Sequence, residues 1–183
     1  QRDAYISKQE PAARLSDGKH PFWHSVYIGL GFLSNPYVGQ YLDEVAIKKV
    51  RSLDPKAEYL SPQYDQILKQ ETLKVVREHP KFIVLTIAAK AGVIVMFFVI
   101  FANLGLAAGL IWKKPWQIDL AFACSLFFSS LFGLLVMPSS NYLLGFIGLA
   151  VMYSIVSINH GLKGISLQAF VRTILSRYRA CAE

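Results

Sequence analysis

Apolar residues are spread unevenly along the chain, and their spacing changes character near residue 82. Residues 91–112 read AGVIVMFFVIFANLGLAAGLIW, a run of 22 residues without a charge. At about 1.5 Å per residue that length crosses a hydrocarbon core about 30 Å thick. Lys113, Lys114 and Pro115 then stop it. A further 43 uncharged residues separate Asp119 from Lys163. Pro138-Ser139-Ser140-Asn141 interrupts them with turn chemistry. The pattern therefore predicts membrane spans near 91–112, 118–137 and 142–160. Soluble cores rarely supply three such segments in succession.

Before these spans the pattern is amphipathic. Residues 41–53 place Leu42, Val45, Ala46, Val50 and Leu53 on one helical face. Asp43 and Glu44 begin this helix, Lys48, Lys49 and Arg51 close it, and Glu44–Lys48 is a well-oriented pair. Asp54-Pro55 ends it. Residues 61–79 form a second helix, with Ser61 as N-cap, Pro62 at the first position, and Tyr64, Ile67, Leu68, Val75 and Val76 on its face. Pro80 interrupts that helix and hands the chain to the first span. Residues 20–38 are rich in aromatics and broken by Gly29, Gly31 and Asn35-Pro36, which predicts a buried loop or short strand. Residues 1–19 are irregular by pattern. Residues 165–179 repeat Leu167, Phe170, Val171, Ile174, Leu175 and Tyr178 at helical spacing opposite Arg172, Arg177 and Arg179. That fits a basic helix on an anionic leaflet or a partner.

The expected fold is an all-α integral membrane protein in three parts. Residues 1–81 form a small helical extracytoplasmic cap, 82–160 the three transmembrane helices, and 161–183 a C-terminal amphipathic tail. The cap has too few apolar residues for a robust core of its own.

Charge refines this plan. Residues 1–81 hold 12 Lys and Arg against 10 Asp and Glu, and residues 82–183 hold 7 against 2. The sequence pI of 9.4 thus comes largely from basic residues flanking apolar spans, and does not point to nucleic acid. Lys113 and Lys114 follow the first span; Lys163, Arg172, Arg177 and Arg179 follow the third. The positive-inside rule puts both groups in the cytoplasm and residues 1–81 outside, in a periplasm or its equivalent. Moving those residues across requires a signal or earlier spans, so a missing N-terminal portion is expected.

Trp112, Lys113, Lys114 and Trp116 read as interfacial anchors, and Arg172, Arg177 and Arg179 do the same in the tail. Lys90 lies inside the apolar run, and the pattern has it snorkelling to the outer surface; a functional intramembrane lysine is the alternative. Asp119 is close enough to Lys113 and Lys114 to be structural, and Asn103 reads as helix glue. Small residues at four-residue spacing mark packing faces: Gly105 and Gly109; Ser125, Ser129 and Gly133; Ala150 and Ser154.

Candidate chemistry is sparse. His20 and His24, four apart, with Asp43 or Glu44, are the nearest approach to a metal site, but no HExxH-type motif accompanies them. That signal is weak, and hydrogen-bonded histidines in an aromatic loop are the simpler explanation. Gly29-x-Gly31 lacks the third glycine of a nucleotide fingerprint. Neither a Walker motif, GxSxG, nor a Cys/His nucleophile pair is present. His160 sits where it could ligate a pigment or haem metal, though interfacial placement explains it too. Cys124 and Cys181 form no disulfide framework. No cofactor is expected.

The order His20-Pro21-x-Trp23-His24-x-x-Tyr27-x-Gly29-Leu30-Gly31, then Asn35-x-Tyr37, Asp43-x-x-Ala46, Asp54-Pro55, Tyr59-Leu60-Ser61-Pro62-x-Tyr64 and His79-Pro80, resembles a known segment. It is similar to a late extracytoplasmic segment of bacterial dolichyl-phosphate-mannose mannosyltransferase-like membrane proteins, over roughly residues 19–92. The resemblance implies a C-type glycosyltransferase using a polyprenyl-phosphate sugar outside the membrane, or a relative. Its catalytic acid belongs to a first outer loop with no counterpart here, so no catalytic residue carries over. Two main readings follow: a non-catalytic membrane portion or accessory subunit docking with other transmembrane subunits, or the C-terminal part of such an enzyme. A pigment- or haem-associated subunit is a third.

Overall fold

The computed structural model describes residues 22–163. Helices make up 78% of these residues and no strand occurs among them, so the backbone hydrogen bonds are nearly all local to helices. Helix α1 is Phe22–Gly29, followed by a 3-10 turn at Leu30–Phe32. Helix α2 is Asp43–Leu53 and α3 is Pro62–Glu78. The remaining helices, α4 (Pro80–Ile111), α5 (Trp116–Leu135) and α6 (Leu144–Lys163), are each long and apolar enough to cross a membrane. The chain is an all-α membrane protein. The expected irregular N-terminus and basic tail helix, with His20, Arg172, Arg177, Arg179 and Cys181, lie outside the described residues.

The described residues form two compact units. One runs to Ala89 and takes in Leu135–Met137; the other is Lys90–Leu134 and the chain from Pro138 onward.

The first unit has an apolar core. Tyr27, Ile28, Leu30, Val38, Ala46, Val50, Tyr64, Leu68 and Val75 are buried together, from α1, α2, α3 and the intervening loop. Ala46 and Val50 fall on the face read from the sequence, whereas Leu42 and Leu53 are exposed. Ser61 caps α3 as expected, its Oγ accepting from the Tyr64 N–H at 3.1 Å. Lys49 of α2 pairs with Glu71 of α3 at 2.8 Å, and no Glu44–Lys48 pair forms among the described residues.

Residues 22–32 correct the expected loop or strand to a helix. Their periodicity is hidden because most of the segment is buried: His24, Val26, Tyr27, Ile28 and Gly29 all face protein. The N-terminus of α1 is satisfied by a distant side chain, Asp65 of α3, which accepts from the Trp23 N–H at 3.0 Å. A cap supplied from so far along the chain leaves no local signal. After the 3-10 turn, Asn35 shapes the loop. Its Nδ2 donates to the carbonyls of Leu30 and Leu33, and its Oδ1 accepts from the N–H groups of Tyr37 and Val38. Gly39 has φ of +99°, a left-handed conformation that glycine adopts without strain. At Gly31 a Cβ would stand 2.6 Å from the Gln40 carbonyl carbon.

Helix α4 begins at Pro80, earlier than the expected start near 91. Proline is compatible with a first helical turn, so Pro80 separates α3 from α4 without breaking either. In the second unit Ile94, Ala102, Leu126, Leu143, Phe146 and Ala150 are buried together from all three long helices and the preceding turn. Elsewhere their apolar residues point outward: Leu110, Phe128 and Ile155 are exposed.

Candidate functional site

Three groups of polar side chains are candidates for chemistry, and each is tied down by its neighbours. The first lies in the α1–α3 unit. His24 on α1 is buried, with Nδ1 2.8 Å from the Tyr64 hydroxyl and Nε2 3.1 Å from Asp43 Oδ1. The Tyr64 ring stacks on the imidazole at 5.8 Å between centroids, and Tyr59 packs edge-on at 5.9 Å. Burial raises the Tyr64 phenol above its ordinary range, helped by Tyr59 and the nearby carboxylates of Asp43 and Asp65. Tyr64 therefore stays a neutral phenol at physiological pH. Both imidazole nitrogens are engaged, so His24 has no lone pair to give a metal without breaking the chain of bonds. Asp43 serves as a hydrogen-bond partner in this chain. Among the described residues no cluster of His, Cys, Asp and Glu has the makings of a metal site.

Nearby in the same unit, Tyr37 stacks on His79 at 3.9 Å beside Phe82. With Glu78 and Lys81 they line a shallow open cavity of 320 Å³.

The second group is in the membrane unit, at the α4–α5 loop. The Lys114 side chain is only 4% exposed. Its Nζ is 2.9 Å from Asp119 Oδ1, donates to Ser157 Oγ at 2.6 Å, and lies 4.0 Å from the centre of the Tyr153 ring. Tyr153 Oη donates to the same Asp119 oxygen at 3.2 Å. Burial alone would lower the Lys114 pKa; the bonds to Asp119 and Tyr153 outweigh it and raise the pKa. A single ammonium thus links the loop, α5 and α6. The adjacent Lys113 is exposed.

The third is Lys90 on α4. The sequence places it as a snorkelling anchor, but the residue is only 1% exposed. Its Nζ donates to the Leu134 carbonyl near the end of α5 at 3.1 Å. The cause can be read from the chain. The Leu134 carbonyl would accept from residue 138 in a continuing helix, and residue 138 is proline, without an N–H. The ammonium supplies the missing donor where a helix C-terminus favours positive charge.

The small-residue faces divide. Gly105, Gly133, Ala150 and Ser154 are buried. Gly105 N donates to Ser154 Oγ at 3.3 Å, and a Cβ on Gly105 would overlap Ser154. A Cβ on Gly133 would meet Leu143 at 2.7 Å. Gly109 and Ser129 are half-buried. Ser125 is exposed and turns back to the Ala121 carbonyl of its own helix at 2.9 Å. The buried positions of α5 are Leu126, Ser130 and Gly133, so Gly133 keeps its expected place and the other two lie one residue on from Ser125 and Ser129.

Ala102, Ala108, Ser157 and Gly161 are also buried, and the sequence reading passed over them. Alanine and glycine at three- and four-residue spacing from Gly105 and Ser154 were the available signal. Trp112 packs its ring over Gly161, whereas Trp116 is 66% exposed. His160 is half-buried and Cys124 exposed.

No protein-family model, no curated protein and no solved structure matches the chain.

Proposed function

We propose that the chain is a non-catalytic membrane portion of a larger membrane assembly, docking through the outward faces of its long helices and carrying a folded cap outside the membrane. The supporting observation is where its surface and polar groups are spent. Only 17%, 17% and 28% of the most apolar stretches of α4, α5 and α6 are buried within the chain, which leaves most of that surface for lipid or other helices. The described polar groups with chemical potential are meanwhile committed to structure: His24 to Tyr64 and Asp43, Lys114 to Asp119 and Ser157. The positive-inside rule supports the α1–α3 unit outside and the Lys113–Lys114 loop in the cytoplasm, and the sequence resemblance implies a bacterial inner membrane. A photoreactive amino acid at Phe128 or Leu110, irradiated in native membranes, tests this. Cross-links to protein are expected; adducts with lipid alone would contradict it.

A second reading is the C-terminal part of a polyprenyl-phosphate-sugar glycosyltransferase. It is favoured by how the residues of the sequence resemblance converge. His24 bonds to both Asp43 and Tyr64, Ala46 is fully buried, and Asn35 organises the loop from Leu33 to Val38. Sugar transfer from polyprenyl-phosphate donor in membranes holding the chain, lost on its deletion, would support this reading over the first.

A further inference from the structure

Helix α4 packs on its own bundle through Ile94, Ala102, Gly105 and Ala108, all buried. The opposite side is a separate stripe. Gly92, Met96, Val99, Asn103, Ala107 and Leu110 are all exposed, and at 3.6 residues per turn they fall within roughly 40° of Asn103. Nothing lies within 4 Å of where a Cβ on Gly92 would be. Every step along the stripe is three or four residues, so it forms one continuous face of the helix.

Asn103 is the anomaly in this stripe. The rise from Asn103 to Trp112 is roughly 13 Å, near the middle of a core about 30 Å thick. Among the described residues its Oδ1 accepts from the next backbone N–H, that of Leu104. Among the described residues its Nδ2 meets no acceptor. Amide donors facing hydrocarbon without an acceptor are costly, and a second helix removes that cost.

We propose that this face of α4 is a self-association seam, on which Asn103 pairs with Asn103 of a second copy of the same chain. Two arguments select a second copy. An amide carries both donor and acceptor, so two identical amides across a two-fold axis satisfy each other. Copies inserted in the same direction also bring Asn103 to the same depth automatically, which an unrelated helix would not. The stripe has no charge to repel its image, and Gly92 and Ala107 let the backbones approach. The inference rests on the docking reading above and names the partner.

The test uses full-length chains with two different tags, co-expressed, with Cys124→Ser and Cys181→Ser as background. Oxidation in membranes should join the two tags through Val99→Cys or Ala107→Cys, and not through Phe128→Cys on α5. Adding Asn103→Leu should lower the joined product about tenfold, and Asn103→Gln should retain it. Asn103 bonds to no other described helix, so Asn103→Leu leaves the bundle's own contacts in place. Unchanged product with Asn103→Leu, or no joined product at all, overturns the seam. A photoreactive residue at Ala107 separates the two failures. Capture of a different polypeptide overturns self-pairing but keeps the docking reading, and capture of lipid alone overturns both.

Discussion

Replacing Lys114 by methionine removes one charge and three contacts while keeping the length of the side chain. The bond to Ser157 is charge-assisted and nearly dry, which is worth about 1.5–3 kcal/mol. The approach to the Tyr153 ring adds ~0.5–2 kcal/mol. The Asp119 pair counts for less, about 0.2–1 kcal/mol, because that carboxylate is 48% exposed and screened. These contributions share one nitrogen and do not add fully, so the expected loss is on the order of 3 kcal/mol. Lys113→Met is the matched control. It removes the same charge from the same loop, but from an exposed residue, and should cost no more than about 0.5 kcal/mol. Reversible unfolding in mixed micelles, followed by tryptophan fluorescence, measures both. In a double-mutant cycle, Lys114 and Asp119 should couple by less than about 1 kcal/mol. Equal losses from the two lysine variants would refute the assignment and return both residues to the role of simple topological charges.

Lys90→Met should destabilise the membrane unit by about 1–3 kcal/mol, since the Leu134 carbonyl loses its donor. Pro138→Ala, which restores an N–H at the position that carbonyl would otherwise use, should recover part of the loss in the same unfolding assay. Gly105→Val forces side-chain atoms into Ser154 and should cost at least ~1–3 kcal/mol, whereas Gly145→Val, with nothing within 4 Å, should be near neutral. Alkaline pH should weaken the α1–α3 unit. Burial, with Glu71 adding to it, raises the Tyr27 phenol from 10.0 to about 12. The folded chain therefore holds a proton that the unfolded chain has lost between these values, and stability falls as pH rises through that window, by on the order of 2 kcal/mol. Unfolding midpoints at pH 9 to 12 check this, and Tyr27→Phe should flatten the dependence.

The long helices were legible because hydrocarbon imposes a simple rule of about twenty apolar residues on each. Helices α2 and α3 were legible because their ends are marked locally, by Asp43 and Glu44 in one and by Ser61 and Pro62 in the other. Helix α1 was hidden because its cap comes from Asp65 and its surface is mostly buried. The same distinction separates the site residues. Gly105 and Ser154 announced a packing face, but the sequence could not show that they meet each other. Lys90 and Pro138 were each conspicuous, yet what relates them is the Leu134 carbonyl, which Lys90 reaches across 44 residues by a bond that no periodicity encodes. Lys113 and Lys114 are chemically identical in sequence, and only packing makes one a buried tie and the other a surface charge.

Native mass spectrometry of the chain released from its own membranes in lipid nanodiscs tests the docking account most directly. Particles holding transmembrane helices beyond α4, α5 and α6 are predicted, with their mass restored to that of the separate chains by denaturation. A single homogeneous species holding one polypeptide, unchanged in mass by denaturation and surrounded only by lipid, would contradict it.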